Sequence, residues 1–449
     1  MKPNRKMWAS ACALATVAGT FFAASDAAAA DKELVIVTSF APDQTVVFKN
    51  AFKKAHPDID LNIINKGTAA GVKYLQETSG NNKTDLFWVS SPDAFEVLKA
   101  SHLLEKYKPD TKGTASEISG YQIDDPDGYF FGFALSGYGY MWNTRYLQSY
   151  KLPAPQTWED LTKPIYYGHL GISAPSRSGT THLEIETILQ AQGWDKGWAT
   201  IKQMAGNAKR ITNRSFGVPE GVDSGEFGIG IVIDYFGFTS KAAGFPVEFH
   251  YPAATTLVPA TIGVVANAPH KQAAHEFVDF VLSPQGQALL FNPKVMRLPV
   301  NKDAYKNAPA GIPNPFEGQI KASVHFDSDL SQARYNVVNS LYDVMITYRF
   351  NELRAAVKAI NEAEAAFKGA PKPEAKKLLD EAKGLVYGVP ITAKQAGDKD
   401  FSALFTGKRK KATDKVSGRQ AEVEKDWDNH AVANYRKAQD LANKAKSMA

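Results

Sequence analysis

The stretch that decides the fold spans residues 173–189 and reads SAPSRSGTTHLEIETIL. Its first half is rich in serine, threonine and glycine, a composition typical of a turn. In its second half Ile185, Ile188 and Leu189 have the spacing of one helix face, and Gly193 follows as a stop signal. The sequence therefore predicts a polar turn that leads directly into a helix.

Candidate ligand contacts lie at the start of this predicted helix. Thr181 and Glu184 have the form of a capping box, and we assign Thr181 to capping. A helix start leaves backbone N–H groups without intrahelical partners and carries the positive end of the helix dipole, so it can hold an anion. We predict that Ser178, Gly179 and Thr180 contact a ligand, with capping of their own helix as the alternative.

Residues 1–30 are typical of a Sec signal peptide. Three basic residues precede an apolar, alanine-rich run over 8–22, and small residues follow up to Ala30. We expect cleavage after Ala30 and export to the periplasm. Because Cys12 is the only cysteine, the exported chain would contain none, which excludes disulfides, a cysteine nucleophile and thiolate metal sites.

The charge and length of the exported chain exclude further classes. Removing residues 1–30 lowers the formal charge from +5 to +3, too little to indicate nucleic-acid binding. No later run of about 18 apolar residues predicts a membrane span. The remaining 419 residues exceed one ordinary hydrophobic core, so we expect two lobes or more.

The first part of the exported chain repeats a strand–helix pattern. Short apolar runs of strand type cover residues 34–40, 61–65 and 85–90, and a helical pattern follows each of them. Such repeats predict a parallel sheet covered by helices, in which ligands bind at the carboxyl ends of the strands. Small hydroxyl residues stand at all three ends, and we predict that Ser39, Thr68 and Ser90 contact the ligand.

The predicted domain organisation has two lobes and an extension. Glycine-rich apolar stretches at 131–143 and 258–267 are interpreted as strands that cross between the lobes. From about residue 326 the composition shifts to alanine, lysine and glutamate, and helices are predicted at 351–368, 373–386 and 418–446. The resulting division is lobe one at 31–132 and 260–325, lobe two at 133–259, and a helical extension at 326–449 that packs on lobe one.

Further candidates lie in lobe two and near the return crossing. A strand pattern over 229–233 ends at Asp234 and Tyr235, which places both at a carboxyl end. Arg297 follows the return to lobe one, where a guanidinium can bind phosphate through two hydrogen bonds; a lobe-bridging arginine is the alternative. His182 is expected to be a partly exposed helix residue, and the basic run 408–411 a solvated loop.

Two motifs carry a resemblance to a known family. Gly225-Glu226 leads into Ile229-Gly230-Ile231, and residues 268–287 read APHKQAAHEFVDFVLSPQGQ. With the signal peptide and the glycine-rich crossings, the chain resembles type II periplasmic solute-binding proteins of ABC importers over residues 31–325. The resemblance is to the branch that contains ferric-ion, phosphonate, sugar-phosphate and phosphoglycerate binders.

The resemblance implies an α/β fold of two lobes joined by two crossing strands, plus the helical C-terminal extension. It implies that the lobes close by a hinge motion on a solute and that the closed form, expected to be a monomer, docks on a permease in the inner membrane. Iron binders of this branch have two adjacent tyrosines where this chain has Tyr235 and Phe236. We therefore expect a small anionic solute and neither a metal nor a cofactor.

Three alternatives stay open at this stage. Tyr235 with carboxylates could bind Fe(III), and the extension could signal to a membrane sensor. A secreted hydrolase ranks below both, because the sequence has no His-Glu-x-x-His helix, no Gly-x-Ser-x-Gly elbow and no Walker loop.

Overall fold

The structure, a computed structural model, describes residues 33–368, 370–405 and 416–449. The signal-peptide prediction for 1–30 and the loop prediction for 408–411 lie outside these ranges. None of the helices in the described ranges is both long enough and apolar enough to cross a membrane.

The chain begins with three strand–helix units, as the sequence predicts. They are β1 (Glu33–Thr38), α1 (Pro42–Ala55), β2 (Asp60–Asn65), α2 (Thr68–Thr78), β3 (Leu86–Val89) and α3 (Pro92–Ala100). β1 pairs in parallel with both β2 and β3, which places the ends of all three strands at one edge of the sheet. Phe48 and Phe52 of α1 are buried against this sheet. This part of the chain forms most of lobe one.

The chain then crosses to lobe two and back. After the short hairpin β4 (Glu117–Ile118) and β5 (Tyr121–Gln122), the long strand β6 (Phe131–Asn143) enters lobe two. Lobe two contains α4 (Thr144–Tyr150), β7 (Leu170–Ser173), α5 (Gly179–Gln192), α6 (Trp194–Asn207), β8 (Ala208–Thr212), α7 (Gly217–Asp223), β9 (Ile229–Ile233), α8 (Asp234–Ala242) and β10 (Val247–His250). The return strand β11 (Leu257–Val264) leads to α9 (Lys271–Leu282), α10 (Pro284–Leu289) and β12 (Leu298–Pro299) in lobe one.

A single sheet runs through both lobes in the order β2-β1-β3-β11-β6-β9-β7-β8. The first half of β6 pairs antiparallel with β11 from Phe131 to Gly137, and its second half pairs antiparallel with β9 from Tyr138 to Trp142. β6 and β11 are therefore the two crossing strands, and the change of partner after Gly137 marks the point where one lobe gives way to the other.

The helical extension has the elements that its composition predicts. They are α11 (Ser328–Tyr342), a π-helical turn (Asp343–Thr347), α12 (Phe350–Ala366), α13 (Pro373–Tyr387), α14 (Ala393–Ala396), α15 (Lys399–Ala403) and α16 (Gly418–Lys446). Helices α12, α13 and α16 pack on one another through buried alanine, leucine and valine side chains.

The expectation that the extension packs on lobe one is wrong for most of its length. Its apolar residues share one continuous core with lobe two, in which Val357 packs so closely on α6 that a Cβ at Gly206 would lie 2.3 Å from a methyl of Val357. Trp194 of α6 also donates to the carbonyl of Ile391 at 2.8 Å. Sequence composition predicted the helices but carried no information about which lobe offers the matching apolar face. α11 also reaches lobe one, where it contacts α3.

Candidate functional site

The ends of β1 and β3 in lobe one face the start of α5 and the end of β9 in lobe two. Between them lies a narrow cleft with a cavity volume of about 10 Å³. The cleft is lined by Ser39, Phe40, Ala41, Ser90, Arg177, Ser178, Thr180, Arg214, Ser215, Phe216, Tyr235 and Phe236. A space of this size holds about one water molecule, so the lobes lie close together here, and a larger solute can occupy the cleft only if they move apart.

Five of the nine predicted contact residues line this cleft. They are Ser39, Ser90, Ser178, Thr180 and Tyr235. The other four lie next to it: Thr68 and Gly179 at a direct contact between the lobes, and Asp234 and Arg297 beneath the lining residues. All nine are thus brought together around one place, although not all in the same role.

The start of α5 differs from the predicted capping box. Ser178 is the N-cap, and its Oγ accepts a hydrogen bond from the backbone N–H of Thr181 at 3.2 Å. The Oγ1 of Thr181 has no hydrogen-bond partner among the described residues, so the prediction that Thr181 and Glu184 cap the helix is wrong. The helix begins three residues earlier than that prediction requires. Ser178 caps through its acceptor side and keeps its hydroxyl hydrogen for a ligand.

Gly179 allows the two lobes to touch. A Cβ at this position would lie 2.7 Å from the Oγ1 of Thr68 and 2.7 Å from the Cβ of Ser91, both in lobe one. Any side chain would therefore hold the lobes apart. The role of Gly179 is therefore to allow the lobes to approach closely, and Thr68 is its contact in lobe one.

Arg297 lies buried beneath the cleft. Its Nη2 donates to the Oγ of Ser90 at 2.9 Å, and its guanidinium carbon lies 3.9 Å from the ring centre of Tyr235 and 4.5 Å from that of Phe40. Burial lowers the pKa of Arg297, but an arginine side chain keeps its positive charge in proteins. Its charge thus reaches the cleft through Ser90, whose hydroxyl accepts from Arg297 and can donate to a solute.

Asp234 has its acceptor capacity engaged within the protein. One carboxylate oxygen accepts from the N–H of Gly137 at 2.7 Å and from the hydroxyl of Tyr251 at 2.9 Å, and the other accepts from the N–H of Tyr235 at 2.7 Å. Burial raises the pKa of Asp234 to about 6, and burial also raises the pKa of Tyr235 to about 12. Asp234 therefore fixes the end of β9 against the crossing strand, and Tyr235 lines the cleft as a neutral phenol.

Arg214 is a charged cleft residue that sequence reasoning missed. It follows β8 in lobe two and donates to the backbone oxygen of Ser39 at 3.1 Å and to the Oδ1 of Asn65 at 3.2 Å, both in lobe one. Its position just after a strand could have identified Arg214 as a candidate. However, β8 reads AKRIT, and because two of its five residues are exposed cations, the sequence does not have the apolar pattern of a strand. Arg214 bridges the lobes across the cleft.

A second, larger cavity adjoins the cleft. Its volume is about 380 Å³, and Arg177 and Arg214 line both spaces. Its other walls come from all three parts of the molecule: Gly67, Ala69 and Ala70 of lobe one, Ser176 and Asn213 of lobe two, and Asn336, Asn339, Ser340, Asp343, Val344, Tyr348, Phe405 and Glu424 of the extension. We call this space the extension cavity.

Beside the cleft, a fully engaged polar cluster joins the lobes to α11. We call it the lobe junction; it consists of Ser91 and Asp93 of lobe one, His182 and Glu186 of lobe two, and Ser331, Arg334 and Asn339 of α11. The Nε2 of His182 lies 3.3 Å from the Oδ2 of Asp93, which also accepts from Ser331 at 2.8 Å. The Nδ1 of His182 lies 2.9 Å from the Oδ1 of Asn339.

The burial of His182 contradicts its expected exposure, because α11 covers the first turn of α5. Burial alone would lower the pKa of His182, but the hydrogen bond and charge of Asp93 outweigh it and raise that pKa. Burial alone would raise the pKa of Asp93, but the hydrogen bond and charge of His182 outweigh burial and lower that pKa. The two residues form a buried ion pair across the lobes.

Arg334 anchors α11 to lobe two within the same junction. Its Nη2 and Nε contact the carboxylate of Glu186 at 2.6 Å and 2.9 Å, and both side chains are almost completely buried. This two-point geometry fixes the helix firmly on α5.

Comparison with known proteins decides the family. A family model described as bacterial extracellular solute-binding protein matches residues 81–319, more than half of the chain. The chain belongs to this family.

Relatives and solved structures agree with the fold. The solute-binding chain is 30% identical over 382 residues to the phosphoglycerate transport regulatory protein PgtC of Salmonella typhimurium, covering 84% of this chain and 90% of that one. It is 23% identical over 276 residues to an Fe(3+)-binding periplasmic protein of Serratia marcescens, covering 59% and 78%. The periplasmic binding protein AfuA of Actinobacillus pleuropneumoniae, solved with fructose-6-phosphate, superposes with a TM-score of 0.64 at 22% identity, covering 69% of this chain and 98% of that one.

The predicted fold is confirmed by these likenesses: two α/β lobes of the type II periplasmic binding fold with a helical C-terminal region. Among the described residues no group of three or more histidine, cysteine, aspartate and glutamate side chains is placed to hold a metal ion.

Proposed function

We propose that this solute-binding protein captures a small phosphorylated organic acid or sugar between its lobes in the periplasm and delivers it to an ABC transporter permease in the inner membrane. The observation that carries the proposal is the chemistry of the cleft. Arginine side chains, serine and threonine hydroxyls and the start of α5 converge there, and Asp234, a carboxylate beneath it, already accepts three hydrogen bonds from the protein.

The donors in the cleft suit a phosphate group. Ser90 and Ser178 each accept a hydrogen bond from the protein, so each has its hydroxyl hydrogen left to donate. Arg214 can exchange its contact to the backbone of Ser39 for a charge-assisted hydrogen bond to a solute oxygen. The first N–H groups of α5 add the positive end of a helix dipole.

Closure follows from the position of these donors in both lobes. Ser39 and Ser90 lie in lobe one, whereas Ser178, Thr180 and Arg214 lie in lobe two. A phosphate that touches both sets has more contacts in the closed state than in the open state, and this difference shifts the lobes towards closure. The closed form would then be the one that the permease accepts.

Signalling to a membrane sensor is a second candidate, favoured by one observation. The relative PgtC is named a transport regulatory protein, and the alignment with it covers 382 residues. That is longer than the 325 residues preceding the extension, so the likeness includes part of the extension. The cleft chemistry is common to both candidates; they differ in the membrane partner that reads the closed form.

Calorimetry with a panel of phosphate esters, phosphonates, dicarboxylates and Fe(III) tests the ligand proposal. We expect binding of at least one phosphate ester and no binding of Fe(III), because Phe236 stands where a second phenolate would be needed. Tight Fe(III) binding with no binding of any anion would refute the ligand proposal and leave the fold unaffected.

A further inference from the structure

The cleft and the extension cavity differ in volume, and this difference limits where the larger part of a solute can lie. The cleft has about 10 Å³ of cavity volume and the extension cavity about 380 Å³, which falls within the usual range for small-molecule sites. Arg177 and Arg214 line both, so the two spaces meet at these arginines. A phosphate held at the arginines would have the rest of its molecule directed towards one of the two spaces, and only the extension cavity has room.

The two spaces also differ in chemistry. Beyond the two shared arginines, the lining of the extension cavity includes the amides of Asn213 and Asn336, the carboxylate of Asp343 and the aromatic rings of Tyr348 and Phe405. Asp343 and Glu424 offset the charge of the two arginines, so the charge of the cavity is nearly balanced. Amides and carboxylates both accept hydrogen bonds from hydroxyl groups, and aromatic rings cover the apolar faces of carbon skeletons.

A buried carboxylate oxygen of this wall lacks a hydrogen-bond partner among the described residues. Asp343 is only 6% exposed, and its Oδ1 has no hydrogen-bond partner among the described residues. Leaving a buried carboxylate oxygen without a hydrogen bond is costly, and a ligand hydroxyl would satisfy it. Burial raises the pKa of Asp343, while Ser176 and Thr347, which are close enough to stabilise its charged form, act in the opposite direction.

We propose that the solute-binding site continues from the cleft into the extension cavity, so that the C-terminal extension itself recognises the hydroxylated part of a phosphorylated solute. This inference rests on the proposed function, which places the phosphate in the cleft. Asn336 of α11 and Asp343 of the π-helical turn supply the wall from the extension, and Ala70 of α2 faces them from lobe one. The solute class is an organic phosphate whose hydroxyl-bearing carbon chain or ring extends past Arg177 and Arg214.

Two substitutions on different elements test the inference. Asn336→Leu removes an amide from the extension wall, and Ala70→Leu adds bulk from lobe one at an exposed position that should not disturb folding. Gln332→Leu is the matched control, since Gln332 lies on the same helix as Asn336 and lines neither space. Thermal unfolding of each variant without solute shows whether it folds.

The binding measurements use inorganic phosphate, 3-phosphoglycerate and glucose 6-phosphate, titrated into each protein by calorimetry. For the ester that the unmodified protein binds, we expect about tenfold weaker binding in Asn336→Leu and in Ala70→Leu, the loss of roughly one hydrogen bond or of the space it needs. Inorganic phosphate, which needs only the cleft, should bind these variants and the control as it binds the unmodified protein.

The outcomes separate the two proposals. If the unmodified protein binds an ester and the cavity variants bind it as Gln332→Leu does, the solute is confined to the cleft, and the inference fails while the proposed function stands. An equal loss for ester and inorganic phosphate would also overturn the inference, because the variants would then be acting on lobe closure. If no phosphate compound binds at all, the proposed function fails and the inference fails with it.

Discussion

The cleft and the lobe junction both bring lobe one against lobe two, but they treat their polar groups differently. In the cleft, Ser90 and Ser178 each accept one hydrogen bond from the protein and keep a donor for a solute. In the lobe junction, Asp93 and His182 use their charged atoms on each other and on α11. The difference indicates that the cleft is built to bind a third molecule and the junction to hold the closed arrangement.

The same comparison distinguishes the two kinds of arginine. Arg334 in the junction is buried and bound at two points by Glu186, so its partner is fixed by the fold. Arg214 at the cleft is only partly buried and holds a backbone oxygen and an amide, which are neutral partners that an anion can displace. Removing Arg334 should therefore affect stability, and removing Arg214 should affect binding.

The largest expected effect is that of Arg334→Met on stability. The substitution leaves the Glu186 carboxylate buried without its cation, so the free energy of unfolding should fall by about 3 to 5 kcal/mol. Urea unfolding measures it. The matched control is Arg419→Met, which breaks an exposed ion pair with Glu422 and should cost less than about 1 kcal/mol. Equal, small losses in both variants would show that the junction does not anchor α11.

Arg214→Met should weaken binding more than stability. Loss of a charge-assisted hydrogen bond to the solute should lower the affinity for a phosphate ester by about 10- to 100-fold, measured by calorimetry. Arg210→Met removes an exposed arginine of β8 that pairs with Glu226 away from the cleft, and it should leave the affinity unchanged. If both variants bind alike, Arg214 is only a bridge between the lobes.

The ion pair of the lobe junction should make stability depend on pH. The pKa of His182 is raised above 6.5 in the folded protein, so its contribution is fully present below pH 6.5 and is lost as the pH rises through the raised value. The pKa of Asp93 is lowered from 3.8, so its contribution is present above pH 3.8 and is lost as the pH falls through the lowered value.

Between pH 6.5 and the alkaline range, the free energy of unfolding should thus decline more steeply in the unmodified protein than in His182→Gln. The difference should be smaller than the loss in Arg334→Met, since His182 keeps its neutral hydrogen bond to Asn339 after it loses its proton. Urea unfolding of both proteins at a series of pH values tests this. Parallel pH profiles would mean that the pair is not charged in the folded protein.

The smallest expected effect belongs to the cap of α5. Ser178→Ala should lower the free energy of unfolding by about 1 kcal/mol in the absence of solute, because the N–H of Thr181 loses its acceptor. Thr181→Val, of nearly the same shape, should leave it unchanged, since the Oγ1 of Thr181 has no partner among the described residues. The reverse order of the two effects would restore Thr181 as the cap.

Much of the fold could be predicted from local patterns. Apolar runs and helical periodicity predict the three strand–helix units, the crossing strands and the extension helices, and both signals are properties of short segments. The cleft could be predicted in part for the same reason, because a residue such as Ser90 stands at the end of a recognisable strand. The lobe to which the extension binds could not, since it depends on which apolar faces match in three dimensions.

Three residues show why local patterns were not enough to predict the site. Arg214 follows a strand too short and too charged to recognise, and the burial of His182 depends on a helix about 150 positions later in the chain. Asp234 stands at a strand end, as a ligand contact would, but the crossing strand and Tyr251 use its oxygens. In each case a contact distant in sequence decided the role of the residue.

The distance between the lobes tests most directly whether they close on a phosphorylated solute. Glu77→Cys on α2 and Glu220→Cys on α7 place exposed labelling sites in lobe one and lobe two, and residues 33–449 contain no natural cysteine to interfere. When the phosphate ester that binds in calorimetry is added, spin-label measurements should show a shorter and narrower distribution of distances between the two labels. The same labelled protein carrying Arg214→Met should show no such change at the same ester concentration. A distribution that the bound ester leaves unchanged would contradict the account.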